Sequence, residues 1–146
     1  MAEFELRAAT QEDFPAIKAL IHLVHINPTG LDWRRFVVAV SAGGEIVGCG
    51  QIKPQGDLRV LASIAVLPGW RERGVARAII EHLLAAHTGA LYLTCREQLG
   101  SFYVKFGFTI LDEANIPAHF RRMSRFVRLL RRLGVINESL LVMRRL

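Results

Sequence analysis

The chain has 146 residues, enough for one hydrophobic core and too few for two ordinary domains, so a single domain spanning 1–146 is expected. Hydrophobic residues make up 51% and charged residues 22%, which excludes an extended disordered chain. The formal net charge is +6 with a pI near 10.1, a balance that favours acidic partners.

No apolar run approaches the roughly 20 residues that a membrane span needs. The opening M-A-E-F-E-L-R lacks the basic-then-apolar layout of a signal peptide. A cytoplasmic protein with no membrane partner is therefore expected. Cys49 and Cys95 each lie inside a strand-like run and read as buried, reduced thiols. Neither they nor the five histidines have zinc-ligand spacing, so no metal is implied.

In chain order, Phe4 and Leu6 alternate with Glu3, Glu5 and Arg7, as a half-exposed first strand requires. Thr10 with Asp13 three residues on is a capping arrangement, and Phe14, Ile17, Leu20, Ile21 and Val24 mark one face of the helix that follows. Asn27-Pro28-Thr29-Gly30 is a turn, followed by a short segment around Trp33. Phe36 to Val40 and Ile46 to Ile52 are strands joined by Ser41-Ala42-Gly43-Gly44 as a hairpin. Val60, Leu61, Ile64 and Val66 mark a buried strand that breaks at Pro68-Gly69. Val75, Ala76, Ile79, Ile80, Leu83 and Leu84 then recur at helical spacing. A strand at Leu91 to Thr94, a short helix near Leu99 to Lys105, a strand at Phe108 to Leu111, a long helix over about Ala118 to Leu133 and a strand at Leu140 to Met143 complete the chain. No internal repeat or linker interrupts this α/β order.

The stretch from Val66 to Arg77, V-L-P-G-W-R-E-R-G-V-A-R, is where an anion is expected. A helix opening near Gly74 leaves its first-turn N–H groups without intrahelical acceptors, and no Ser, Thr, Asp or Asn stands between Pro68 and Gly74 to cap them. The positive end of the helix dipole and Arg71, Arg73 and Arg77 favour negative charge there.

Within that stretch, Arg71-x-x-Gly74-x-Ala76 resembles the Q/R-x-x-G-x-G/A signature of the Gcn5-related N-acetyltransferases, the GNAT superfamily. The later segment S-F-Y-V-K-F-G-F, Ser101 to Phe108, resembles that superfamily's L-Y-x-K-x-G-F motif, in the correct order and at a typical separation. The resemblance covers essentially the whole chain. It implies the GNAT acyl-CoA N-acyltransferase fold: an α+β arrangement with a mixed, mostly antiparallel sheet flanked by helices, its central strands splayed.

It also implies acetyl-CoA as co-substrate. The backbone N–H groups of Arg71, Glu72, Arg73, Gly74, Val75 and Ala76, with Arg77 just beyond, would then meet the pyrophosphate. Glycine at 74 suits this because a side chain would hold the phosphates away from the backbone. Ile64 and Val66 would contact the pantetheine arm and acetyl carbonyl through their main chain, the alternative being an ordinary buried strand. Tyr103 takes the place of the family tyrosine proposed as general acid for the departing thiolate. A phenol with a pKa of about 10 can give such a proton, the alternative being an aromatic cluster with Phe102, Phe106 and Phe108. Trp70 reads either as a cover for the cofactor or as packing against a helix.

Two positions depart from the family pattern. The strand Leu58 to Ile64 carries no carboxylate to act as general base, leaving ordered water, an acid such as Glu97, or an acceptor that arrives deprotonated. The asparagine often found seven residues before the tyrosine is Arg96 here, which reaches either a phosphate or an acidic acceptor. The acceptor itself, a small-molecule or peptide amine, is left open, as is the oligomeric state, a homodimer included.

Charge counting places the basic excess. Arg121, Arg122, Arg125, Arg128, Arg131 and Arg132 stand between Pro117 and Leu133 without an acid, and 19 less these six equals the 13 acids. Phe120, Met123, Val127 and Leu130 form the opposite, apolar side, expected in the core. The arginine stripe reads as a solvated face, with RNA, an acidic acceptor or a lipid surface as alternatives. Two further functions compete with acetyl transfer: a CoA-binding sensor that turns nothing over, and a nucleic-acid-binding module built on this helix.

Overall fold

The computed structural model describes residues 3–134 and 140–146. Its strands are β1 (Phe4–Ala8), β2 (Phe36–Ser41), β3 (Ile46–Gln55), β4 (Leu58–Val66), β5 (Leu91–Arg96), β6 (Thr109–Ile110) and β7 (Leu140–Arg145). The helices are α1 (Phe14–Leu23), α2 (Val75–Ala85), α3 (Gly100–Val104) and α4 (Ala118–Arg132). The strand order is β1-β2-β3-β4-β5-β7-β6, a seven-stranded mixed sheet. β1 with β2, β2 with β3, β5 with β7 and β6 with β7 are antiparallel, whereas β4 and β5 pair in parallel at Val60↔Tyr92. A parallel pair needs a long crossover, and α2 lies between these two strands in the chain. Two compact units divide the chain: residues 1–53 with 61–88, and 54–60 with 89–146.

In the first unit, the period of two along β3 separates two layers. Cys49 faces a core of Ala9, Ile17, Leu20, Ile21, Phe36, Val38 and Ala65, so α1 covers this side of the sheet. Ile17 and Ile21 are fully buried, and each such side chain contributes about 1.5 to 3 kcal/mol by leaving water. On the other side stand Gly48 and Gly50. A Cβ at Gly48 would lie 2.5 Å from Val75 Cγ1 and one at Gly50 2.8 Å from Ile79 Cγ2, so bare backbone is what lets α2 approach β3. The entry to α1 is fixed by Asp13, whose carboxylate accepts from the Thr10 N–H (2.7 Å) and from both terminal nitrogens of Arg7 (2.6 and 3.0 Å). The guanidinium holds the Asp13 carboxyl well below the usual carboxylate range.

In the second unit, β5 and β7 pair from Leu91↔Arg145 to Arg96↔Leu140. Leu93, Phe108, Met143 and Phe120 are buried, and the Tyr92 and Phe120 rings sit 6.2 Å apart. Gly100 opens α3 against β7, where a Cβ would meet Leu141 Cδ1 at 2.7 Å. The β3–β4 turn needs glycine at 56, whose φ is +60° and whose absent Cβ would collide with the His119 ring.

Most sequence-predicted elements are present with shifted ends. β3 and β5 run longer than expected because their last residues remain in the ladder, and β6 is only two residues. The expectation for α4 is corrected: Phe120 is its one buried residue. Of the expected apolar side, Val127 and Leu130 are only half-buried and Met123 is 37% exposed, while Phe126, Leu129 and Leu133, which stand outside that side, are at least half exposed. All six arginines are exposed, Arg128 pairing with Glu113 and Arg121 donating to the Ile116 carbonyl.

Candidate functional site

The turn between β4 and α2 is built by its backbone. Leu67 N–H still bonds the Val47 carbonyl (2.9 Å), which holds the end of β4 to the sheet. Pro68–Trp70 then make one 3-10 turn. Glu72 follows with φ +63° and Gly74 with φ +81°. A glutamate in the left-handed region is strained by roughly 1–2 kcal/mol, and such strain clusters at binding turns. α2 starts at Val75 with Gly74 as N-cap and no side-chain capping bond. The first-turn N–H groups of α2 are therefore uncapped by any side chain, as its sequence leads one to expect.

The predicted turn residues divide by exposure. Arg71, Glu72, Arg73, Gly74 and Arg77 are exposed and Ala76 is half-buried, whereas the Val75 side chain is buried and leaves only its main chain for a ligand. Arg73 pairs with Glu3 at 3.6 Å and stacks its guanidinium 4.9 Å over Trp70, while Arg77 pairs with Glu81 at 3.0 Å. Arg71 makes no ion pair among the described residues. Trp70 thus carries an arginine on its ring. Nothing lies within 4 Å of a Cβ built on Gly74, so within the protein the requirement for glycine is its φ and not crowding. An uncapped helix start, open space above Gly74 and neighbouring cations suit an anion such as a pyrophosphate.

Leading into this turn, Ile64 and Val66 are half-buried and Ala65 between them is buried. The residue before Ile64, Ser63, has φ +60°. Its hydroxyl accepts from Gln51 Nε2 at 2.8 Å, and its carbonyl accepts from the Cys49 thiol. Gln51 is wholly buried, and its amide is used at both ends: Nε2 also donates to the Gly30 carbonyl (3.2 Å), and Oε1 accepts from Arg35 Nε (3.2 Å). Arg35 Nη2 donates to the same Gly30 carbonyl at 3.0 Å. Also at Gly30, Lys53 Nζ stands 3.1 Å from the place a Cβ would take. Burial and the nearby Arg35 hold the Lys53 ammonium below the ordinary lysine value. Sequence reading missed Arg35, Gln51, Lys53 and Ser63. The available signal was a glutamine and a lysine two apart in an otherwise apolar strand.

Tyr103 lies on α3 in the second unit and is buried, its ring 6.1 Å from Phe108 in an edge-on contact. Phe102 and Phe106 stack edge-on at 5.2 Å, so the aromatic cluster is present as well. Burial, with the Cys95 thiol adding to it, pushes the phenol up to about 12, which keeps its proton in place at neutral pH. Both cysteines are free, and burial pushes Cys49 up to about 12 and Cys95 to about 11, so neither is a thiolate nucleophile. Among the described residues no group of three or more His, Cys, Asp or Glu could hold a metal, and no helix is long and apolar enough to cross a membrane.

Solved structures share this fold. N-acetylglutamate synthase from Neisseria gonorrhoeae, complexed with coenzyme A and N-acetyl-glutamate, superposes with a TM-score of 0.75 at 20% identity over 99% of this chain. That alignment spans 35% of the Neisseria protein, so this chain corresponds to about a third of its length. Rv2747 from Mycobacterium tuberculosis, solved with CoA, gives a TM-score of 0.68 at 24% identity over 94% of this chain and 97% of its own. A GNAT-family acetyltransferase from Staphylococcus aureus gives 0.69 at 12% identity over 97% and 98%. By sequence, no curated protein matches significantly. The acetyltransferase (GNAT) domain family matches residues 32–110, more than half of the chain and inclusive of β4, the uncapped turn and Tyr103. The chain belongs to the GNAT acetyltransferase family.

Proposed function

We propose that this chain is an acetyl-CoA-dependent N-acetyltransferase, acting as one catalytic domain over 1–146 and transferring acetyl to a primary amine by direct attack in a ternary complex. The observation that carries this reading is the uncapped start of α2 beside the left-handed Glu72 and Gly74, in a chain of this family. The amides of Arg71 through Ala76, with Arg71 and Arg77 beside them, are assigned the pyrophosphate. The main chain of Ile64 and Val66 is assigned the pantetheine arm and the acetyl carbonyl, whose oxygen gains negative charge as the amine adds. The amine lone pair forms the new C–N bond, the C–S bond breaks with its electron pair on sulfur, and one proton leaves nitrogen while one reaches the thiolate. Tyr103, neutral at pH 7, is assigned that second proton transfer. The CoA complexes of the Neisseria and Mycobacterium proteins support the choice of donor. A cytoplasmic setting, where acetyl-CoA is made and used, is part of the same reading.

Purified protein given acetyl-CoA and a panel of primary amines should release free thiol only when an acceptor is present. The absence of Asp and Glu from Leu58–Val66 favours one competing reading, a CoA-binding sensor. Normal acetyl-CoA binding with no acetylation across the panel would select it.

A further inference from the structure

We infer that Arg35 and Lys53 hold an anionic group on the acceptor, and that this group is a carboxylate: the substrate class is amines that carry a carboxylate, α-amino acids being the simplest. The inference rests on the acetyltransferase reading above and names the acceptor of that site.

Both cations are brought to one point, Gly30, by different elements. Arg35 immediately precedes β2, where Phe36 pairs with Gln51, so its guanidinium reaches across to the Gln51 amide and the Gly30 carbonyl. Lys53 lies two residues beyond Gln51 on the same face of β3, and its ammonium stands 3.1 Å from the place a Cβ of Gly30 would take. Only Arg35 has a carboxylate within ion-pair distance, and that carboxylate is shared. Asp32 Oδ2 is 3.8 Å from Arg35 Nη1 and is shared with Arg34 at 3.5 Å, while Lys53 makes no ion pair among the described residues. Two cations brought together with only this shared carboxylate beside one of them repel, an arrangement that an incoming carboxylate converts to attraction. The buried Gln51 amide and the Gly30 carbonyl fix the guanidinium plane through Nε and Nη2, which leaves the second N–H of Nη2 and the N–H groups of Nη1 for an incoming carboxylate.

The position also suits the reaction. The same Gln51 amide bonds the Ser63 hydroxyl, and Ser63 is the neighbour of Ile64 in β4. The anchor is therefore tied through Gln51 and Ser63 to the strand segment assigned to the thioester. Ser63, Gln51 and Arg35 form one hydrogen-bonded run, so Gln51 is a positioning residue.

The test compares α-amino acids with their decarboxylated amines and with O-phosphoethanolamine, using thiol release, alongside acetyl-CoA affinity measured by calorimetry. Losing a charge-assisted hydrogen bond costs on the order of tenfold or more. Lys53→Gln should therefore raise KM for amino acids about tenfold, leave the low reactivity of decarboxylated amines as it was, and keep acetyl-CoA affinity. Arg35→Lys should retain more of the amino-acid KM than Arg35→Gln. Decarboxylated amines used as well as amino acids, preference for the phosphate-bearing amine, or an amino-acid KM indifferent to both positions would overturn the subsite while leaving the transferase reading intact. Failure of the wild-type protein to bind acetyl-CoA would remove both together.

Discussion

Gly48→Ala tests whether the place of α2, and with it the uncapped turn, is set by bare backbone on β3. The added methyl would stand 2.5 Å from Val75 Cγ1, 3.0 Å from Ile79 Cδ1 and 3.3 Å from the Ala65 carbonyl oxygen. Carbon atoms pack at about 3.5 to 4.0 Å, so Val75 must retreat by roughly 1 Å or more. Ile79 Cδ1 is the end of a flexible chain and yields, but Val75 is β-branched, stiff at χ1 and the first residue of α2. Overpacking of this kind costs about 1–3 kcal/mol. Removing a strand glycine restores about 0.5–1 kcal/mol of backbone entropy, leaving a net destabilisation centred on about 1 kcal/mol. Urea unfolding followed by circular dichroism should show a lower midpoint with an unchanged slope. CoA affinity should fall as well, because the residue that retreats carries the helix's first N–H. In the double variant with Val75→Ala the two losses should be strongly non-additive, since shortening Val75 relieves the clash. Equal or greater stability of Gly48→Ala, or strict additivity with Val75→Ala, would refute the close-packing argument.

Gly74→Ala and Gly74→Glu share the cost of a side chain at φ +81°, roughly 1–2 kcal/mol of stability, but only glutamate adds charge. Calorimetry should find CoA binding retained in part by alanine and lost by glutamate; tight binding by Gly74→Glu would remove the phosphate assignment. Tyr103→Phe should lower turnover far more than acetyl-CoA affinity, and an unchanged rate would leave Tyr103 a core residue beside Phe108. Asp13→Asn should cost about 1 kcal/mol by weakening the bonds its carboxylate accepts from Arg7 and the Thr10 N–H. Because the folded Asp13 pKa is lowered, its stabilisation is full above about pH 4 and is lost as the pH falls below that value. A wild-type acid-stability difference that does not shrink relative to Asp13→Asn over that range would contradict the ion pair. RNA binding through Arg121 to Arg132 should fall steeply with added salt if the α4 stripe meets phosphates, and filter binding that shows none would leave it a solvated face.

The order of strands and helices was legible because hydrophobic period and turn residues act locally. Val75, Ile79, Ile80 and Leu83 were named at helical spacing, and all four are buried in α2. The missing cap at Gly74 was equally local, since it depends only on which residues precede a helix. What was not legible depends on distant partners. Nothing in Gly48 or Gly50 as letters reveals that a helix packs on them, and no spacing rule joins Arg35, Gln51, Lys53 and Ser63, which stand on a turn and two strands. The left-handed Glu72 and Ser63 are hidden for the same reason, because surrounding structure and not residue type enforces their φ. α4 shows the converse failure. Its period was read correctly, but an apolar stripe does not state how deeply it is covered: Phe120 is buried, Val127 and Leu130 only half-buried and Met123 exposed, while Phe126, Leu129 and Leu133 stand outside the stripe.

The absent carboxylate on β4 and the cation pair at Gly30 bear on the same chemical problem. An amine attacks only as its free base, and a free α-amino acid holds its proton tightly because its own carboxylate lies two bonds away. Clamping that carboxylate between Arg35 and Lys53 cancels its field at the nitrogen. The amine pKa then moves toward that of an α-amino group without a neighbouring carboxylate, about 7.7 to 8.0. Near neutral pH a substantial fraction would be deprotonated before attack, and an ordered water would suffice for the proton released afterwards. A carboxylate base on the strand would in fact work against this device, since a second negative charge beside the nitrogen raises its pKa again. On this reasoning the choice of acceptor and the missing base are one property: anchoring residues that select a carboxylate also prepare the nitrogen next to it.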